Sequence, residues 1–187
     1  METMTGEDVK AMMADLLETA KQNREAYKYS EDEKMVPCAM IYGSEGIAMI
    51  ALLWRDNKEK YLMAAGVNAK AREMNAKSLS FVTDSRWVKS DDFAKYFKME
   101  PPIPETMEDF VREYHRILRQ HGGEIKNLPR AVWQEAVVVF TNGPGIPTQI
   151  QMAPYKEGPN DTIEWLPRDR EMEAKSGRSD MLTDWWA

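Results

Sequence analysis

The densest mixture of reactive side chains in this sequence is Thr83-Asp84-Ser85-Arg86-Trp87, which gathers hydroxyls, a carboxylate, a guanidinium and an indole. It follows Ser78-Leu79-Ser80-Phe81-Val82-Thr83, whose alternation of polar and apolar types predicts a strand. Strand ends in layered α/β structures are common ligand positions, so Asp84, Arg86 and Trp87 are candidate ligand-binding residues. Asn142, in the turn-rich stretch Thr141 to Pro147, is their candidate partner from the opposite side. The competing reading is a turn, with Asp84 bonding local backbone and Trp87 plugging the core edge.

Other chemistries are thinner. An acid, any residue, then lysine recurs at Asp8, Asp32, Asp56, Glu124 and Glu173, but none follows a strand with the acidic partner a metal nuclease needs. His115 and His121 are six apart on a helical stretch and point in different directions, so they share no ligand face. Cys38 sits in an apolar run that suits a buried small hydrophobe. Gly43-Ser44-Glu45-Gly46 and Asn142-Gly143-Pro144-Gly145 lack the strand–glycine–helix context of a dinucleotide fingerprint and the lysine of a phosphate loop. The pattern selects no catalytic residue, no metal ligands and no cofactor.

Two further segments suit binding. Arg112, Arg116 and Arg119, followed by Lys126 and Arg130, form a locally basic stretch, although Glu108, Asp109 and Glu113 offer ordinary surface pairing. Met181, Leu182, Trp185 and Trp186 have the spacing of a short amphipathic helix and are the candidate protein-interaction residues. Exposed tryptophans there would form an association-prone patch.

The elements that must position these groups are readable from periodicity. Thr5 with Asp8 caps a helix over about residues 6–27, whose apolar face is Val9, Met12, Met13, Leu16, Leu17 and Ala20. Val36 to Tyr42 and Ile47 to Trp54, split by Gly-Ser-Glu-Gly, predict a hairpin. Lys58 to about Ala76 predicts a helix that buries Tyr61, Leu62, Ala65, Ala69 and Met74. Ser90 caps a short helix over residues 91–97, and Pro101 to Pro104 makes a stiff crossing. Met107, Phe110, Val111, Tyr114, Ile117 and Leu118 give a further helix ending at Gly122-Gly123. Glu135 to Phe140 and Thr148 to Ala153 predict a second hairpin, with Thr162 to Leu166 as an edge strand.

Composition bounds the class. The chain has 187 residues with 43% hydrophobic and 30% charged types, enough for one core under a charged surface. Its net charge of -6 is spread evenly, so no basic excess points to a nucleic-acid partner. One cysteine excludes an internal disulfide framework. The most apolar stretch, Met35 to Trp54, is interrupted by Pro37 and the glycine turn, which favours a hairpin over a membrane span. With no basic-then-apolar leader, the expectation is a cytoplasmic protein without a membrane segment.

The run Ser80 to Trp87, preceded by a hairpin and an alanine-rich helix and followed by Arg130 through Phe140, resembles small uncharacterised α/β proteins of bacteria and their phages. The resemblance covers roughly residues 5–166 and implies a bacterial or phage accessory role without carrying an activity. The expected fold is one α+β domain over residues 5–166, ordered α-β-β-α-β-α-α-β-β-β. Its sheet, mainly antiparallel or mixed, has five or six strands against three principal helices. Residues 167–187 form a polar connector and an aromatic tail. The expected function is a non-enzymatic protein-binding or accessory role, self-associating as a homo-oligomer through apolar surface and the Trp-rich tail. The alternative is a small-ligand-binding protein or modest hydrolase with a polar pocket at Asp84, Arg86 and Trp87.

Overall fold

Helix formation starts at Thr5. Its backbone N–H donates to Asp8 Oδ2 at 2.9 Å, and the Asp8 N–H donates to Thr5 Oγ1 at 3.2 Å. This reciprocal pair satisfies two backbone donors that the helix itself cannot. Bonds from the Thr5 side chain and backbone also hold the exposed Asp8 carboxyl below its usual range. The structure, a computed structural model, describes residues 4–26, 35–53, 57–99, 107–159, 162–167 and 172–173. The Pro101 to Pro104 crossing and the tail residues Met181, Leu182, Trp185 and Trp186 lie outside that set.

The described elements are α1 (Gly6–Ala26), β1 (Cys38–Gly43), β2 (Gly46–Ala51), α2 (Asn57–Glu73), β3 (Ser78–Val88) and α3 (Ser90–Tyr96). Then come α4 (Met107–Gln120), β4 (Trp133–Gly143), β5 (Ile146–Glu157), β6 (Ile163–Trp165) and β7 (Met172–Glu173). The strands form one curled sheet in the order β2-β1-β3-β4-β5-β6, with β7 also on β5. Every pairing is antiparallel. β2 and β3 both run against β1 and so run parallel to each other, with α2 connecting them past the β1 that lies between. The fold is an α+β single domain, as composition and element order anticipate.

Strand alternation divides the core in two. On one face α1 packs Val9, Met13, Leu17 and Ala20 onto Val82, Val137, Val139 and Ala153. On the other, Ala64, Val67 and Ala71 of α2 pack onto Ala39, Ile41, Leu79 and Phe81. A smaller core of Phe93, Ala94, Ile117, Leu128 and Val132 joins α3 and α4 beyond the ends of β3 and β4. Phe93 anchors it, with ring centroids 4.7 Å from Phe97 and 5.5 Å from Tyr114.

Three sequence expectations change here. β3 does not stop at Thr83: its ladder with β4 runs from Leu79↔Asn142 to Val88↔Trp133, so Asp84 to Trp87 are strand residues rather than a turn. α2 buries Ala64, Val67, Asn68 and Ala71 and leaves Tyr61 and Leu62 exposed. Its alanines lie on several sides, and packing against the sheet chooses the buried one. Ser90 is already helical, the N-cap position belongs to Lys89, and no side chain caps α3.

Two close approaches depend on glycine. A Cβ on Gly43 would stand 2.6 Å from the Met74 carbonyl oxygen, and one on Gly143 would press on the Lys77 carbonyl. Both glycines lie beside the segment that returns from α2 to β3. Gly66, inside α2, has open space around it. Gly143→Ala should therefore destabilise by about 1–3 kcal/mol because backbone has to move. Gly66→Ala should stabilise by about 0.5–1 kcal/mol through helix propensity. Urea unfolding of the two variants against the parent checks both signs.

Candidate functional site

The face under α1 changes character along the strands. At one end Ser80 and Thr141, directly opposite across β3 and β4, bond hydroxyl to hydroxyl at 2.7 Å. Valines fill the middle. At the other end α1 delivers Arg24, whose side chain is only 6% exposed. Its Nε donates to Asp84 Oδ2 at 3.0 Å and to the Tyr155 hydroxyl at 3.3 Å, and its NH2 group donates to Glu157 Oε1 at 2.6 Å. Tyr155, fully buried, donates its own hydroxyl to Asp84 Oδ2 at 2.7 Å. Burial opposes the Arg24 charge, but the Tyr155 hydrogen bond and the nearby charged groups outweigh it and keep the guanidinium protonated. Burial first, then the Asp84 charge and hydrogen bond, push the Tyr155 phenol far above its ordinary value. The cluster is thus a closed donor–acceptor set, with Tyr155 suited to donating a proton in a hydrogen bond rather than to acting as a base.

Beside this cluster β4 and β5 part. Their regular pairing reaches Glu135↔Tyr155, and a cavity of about 490 Å³ opens between Trp133–Glu135 and Lys156–Glu157, with Lys89, Arg130 and Ala131 completing its wall. Glu135 is buried and receives Arg130 at 3.2 Å and Arg86 at 3.7 Å. The Arg130 guanidinium lies 3.9 Å from the centroid of the Trp133 ring, and that of Arg86 lies 5.9 Å from it. Trp133 is fixed in turn by donating its indole N–H to the Leu128 carbonyl at 2.9 Å.

The candidate residues from sequence separate along this sheet. Asp84 and Arg86 lie on the α1 face, Asp84 within the Arg24 cluster and Arg86 against Glu135 and Trp133. Trp87, next in the strand, points to the reverse face and packs against the cluster of Ala136, Val138 and Met152. Asn142 is buried and pairs with Leu79, at the far end of the β3–β4 ladder from Asp84. Arg112 and Arg116 pair with Asp109 and Glu113 on the exposed side of α4. Cys38 is half-buried, and burial pushes its thiol up rather than activating it. The His121 ring packs on Phe97. Among the described residues no group of three or more His, Cys, Asp or Glu side chains could hold a metal. Nor is any described helix long and apolar enough to cross a membrane.

The opposite edge of the sheet carries different chemistry. β2 pairs only with β1 among the described strands. Its inner face, Ala48 and Ile50, meets the α2 core. Ile47 and Met49 point the other way, where they are 64% and 71% exposed, and Leu53 just beyond is 64% exposed. Gly46 to Leu53 contains neither a charge nor a proline. The signal for this surface was present in the sequence as a run apolar at both parities. Its position at an edge was not.

Replacing Arg24 by Met should cost about 3–5 kcal/mol, since Asp84 is left charged and poorly solvated. Arg112→Ala, on an exposed pair, should cost under about 1 kcal/mol. Tyr155→Phe should cost about 1–2 kcal/mol through its two lost hydrogen bonds. The folded state holds the Tyr155 proton to higher pH than the unfolded chain, so this stabilisation is complete below about pH 10 and is lost as pH rises beyond it. Burial raises Tyr42 and Tyr114 as well, which deepens the alkaline loss. Urea midpoints at neutral pH and above pH 10 should show a shallower alkaline fall in Tyr155→Phe than in the parent.

Comparisons with protein-family models, with curated proteins and with solved structures gave no match.

Proposed function

We propose that this chain is a protein-binding accessory protein that self-associates edge to edge through β2. The observation that carries the reading is a strand with the composition of a sheet interior standing at a sheet edge. Continuous apolar runs suit strands covered on both faces, whereas edge strands are normally protected by charges, prolines or bulges. Among the described strands β2 has an unpaired backbone edge, and it has an exposed Ile47–Met49 face with no charged residue in the strand to oppose a second copy.

The geometry of a symmetric pair follows from the pleat. A two-fold axis normal to the sheet keeps each face on its own side, so a residue must meet one of equal parity in the copy. An axis through Met49 sets Met49 against Met49 and Ile47 against Ala51, making apolar cross-strand pairs. Cross-strand pairs of this kind contribute roughly 0.2–1 kcal/mol each relative to Ala–Ala, in addition to the backbone hydrogen bonds of the new ladder. The tail residues Met181, Leu182, Trp185 and Trp186 supply a second apolar element for the same association.

Sedimentation of the full chain should show a concentration-dependent two-chain species, lost in Met49→Lys and Ile47→Lys. Met49→Cys should form an intermolecular disulfide under mild oxidation, because directly opposed Cα atoms in an antiparallel pair fall within disulfide range. A single-chain mass at all concentrations would overturn the proposal, as would unchanged association in both lysine variants. If Trp185→Ala with Trp186→Ala abolishes association while the lysine variants retain it, the tail is the interface and the β2 reading fails.

A further inference from the structure

The cavity where β4 and β5 part has more donors than acceptors to receive them. Lys89, Arg130 and Lys156 line it together with Glu135 and Glu157; Lys89 is paired with Asp92 on α3, and both carboxylates are already engaged. Glu135 holds Arg130 and Arg86, and Glu157 accepts from Arg24 at 2.6 Å. Lys156 is exposed and makes no ion pair within the described structure. The Gln134 side chain, from the same stretch of β4, buries its Nε2 without a hydrogen-bond partner. The overall charge of -6 makes this local surplus of cations more conspicuous.

We propose that this cavity binds a small organic oxyanion, a phosphate monoester or a carboxylate, with a flat body against Trp133. Arg130 is held between the Trp133 ring and Glu135, so its guanidinium is oriented before a ligand arrives. Lys156 lies at the rim as an exposed charge that can meet the anion. The volume of about 490 Å³ falls in the range of small-molecule sites. This site lies on different strands from β2, so it is independent of the self-association reading.

The test is calorimetric titration of the full chain with phenyl phosphate, benzoate and inorganic phosphate, with tryptophan fluorescence followed in parallel. Saturable binding of phenyl phosphate or benzoate is expected, weakened about tenfold or more in Lys156→Gln and in Arg130→Gln. Lys156 is exposed and has no ion pair among the described residues, so its variant keeps the test open should the loss of Arg130 unfold the protein. Binding of phenyl phosphate alone assigns a phosphate monoester, and binding of benzoate alone assigns a carboxylate. Saturable binding of inorganic phosphate with neither organic probe overturns the role given to Trp133. Absence of saturable heat with all three probes, or binding untouched by Lys156→Gln, overturns the site. Met49→Lys should bind as the parent does, which separates this outcome from that of the association experiment.

Discussion

The ladder between β3 and β4 is the constraint on which the remaining structure depends. It runs from Leu79↔Asn142 to Val88↔Trp133 and sets, residue by residue, which side chains meet α1 and which face away from it. A slip of one residue would send Val82 and Val139 to the wrong face and bring Phe81 and Phe140 under α1. The register is held at one end by the buried Ser80–Thr141 hydroxyl pair and at the other by the charged set around Asp84. Between them the apolar stripe of α1 has a single complementary surface. α2, connecting β2 to β3, then has only the reverse face to cover.

Charge acts differently in its two settings. On α4, Arg116 reaches Glu113 at 2.8 Å, one turn away and in water, where such a pair adds little. Arg24 reaches Asp84 across sixty residues of sequence and out of water. Bringing those charges together is expensive, and their mutual bonds with Tyr155 and Glu157 must offset the loss of solvent. The set therefore specifies how the C-terminal end of α1 seats on the sheet more than it adds stability. It also closes this end of the face, leaving the neighbouring fork between β4 and β5 as the place where donors remain open.

Both proposals rest on places where local chemistry and global position disagree. β2 is apolar on both sides yet has a neighbour on only one edge among the described strands. The β4–β5 fork gathers the Arg130 guanidinium and the Lys156 ammonium around carboxylates that are already taken. In a chain whose elements otherwise agree across levels, such conflicts mark surfaces shaped by something beyond the fold. One asks for apolar cover and strand pairing, the other for a compact anion.

Several elements were legible in sequence because their signals are local. The Thr5–Asp8 cap, the stripe from Val9 to Ala20 and the two glycine-bounded hairpins depend on neighbours a few residues away, and these set the α+β class. Asp84-Ser85-Arg86 looked like a turn because polar strand residues give no periodic signal until a long-range partner pairs with them. Asp84 and Trp87 lie close in sequence, but the pleat places them on opposite faces, while Asn142 pairs at the far end of the ladder. The exposed face of α2 was misjudged because Ala64, Ala65, Ala69 and Ala71 give each side of the helix nearly the same hydrophobicity. The sequence by itself determined the order of the elements from α1 to β6 and the net acidic charge, which follow from short-range sterics and composition. Only the tertiary structure decided which strand became an edge, which charges lost their water and where unpaired donors converged, because each is set by contacts between residues far apart along the chain.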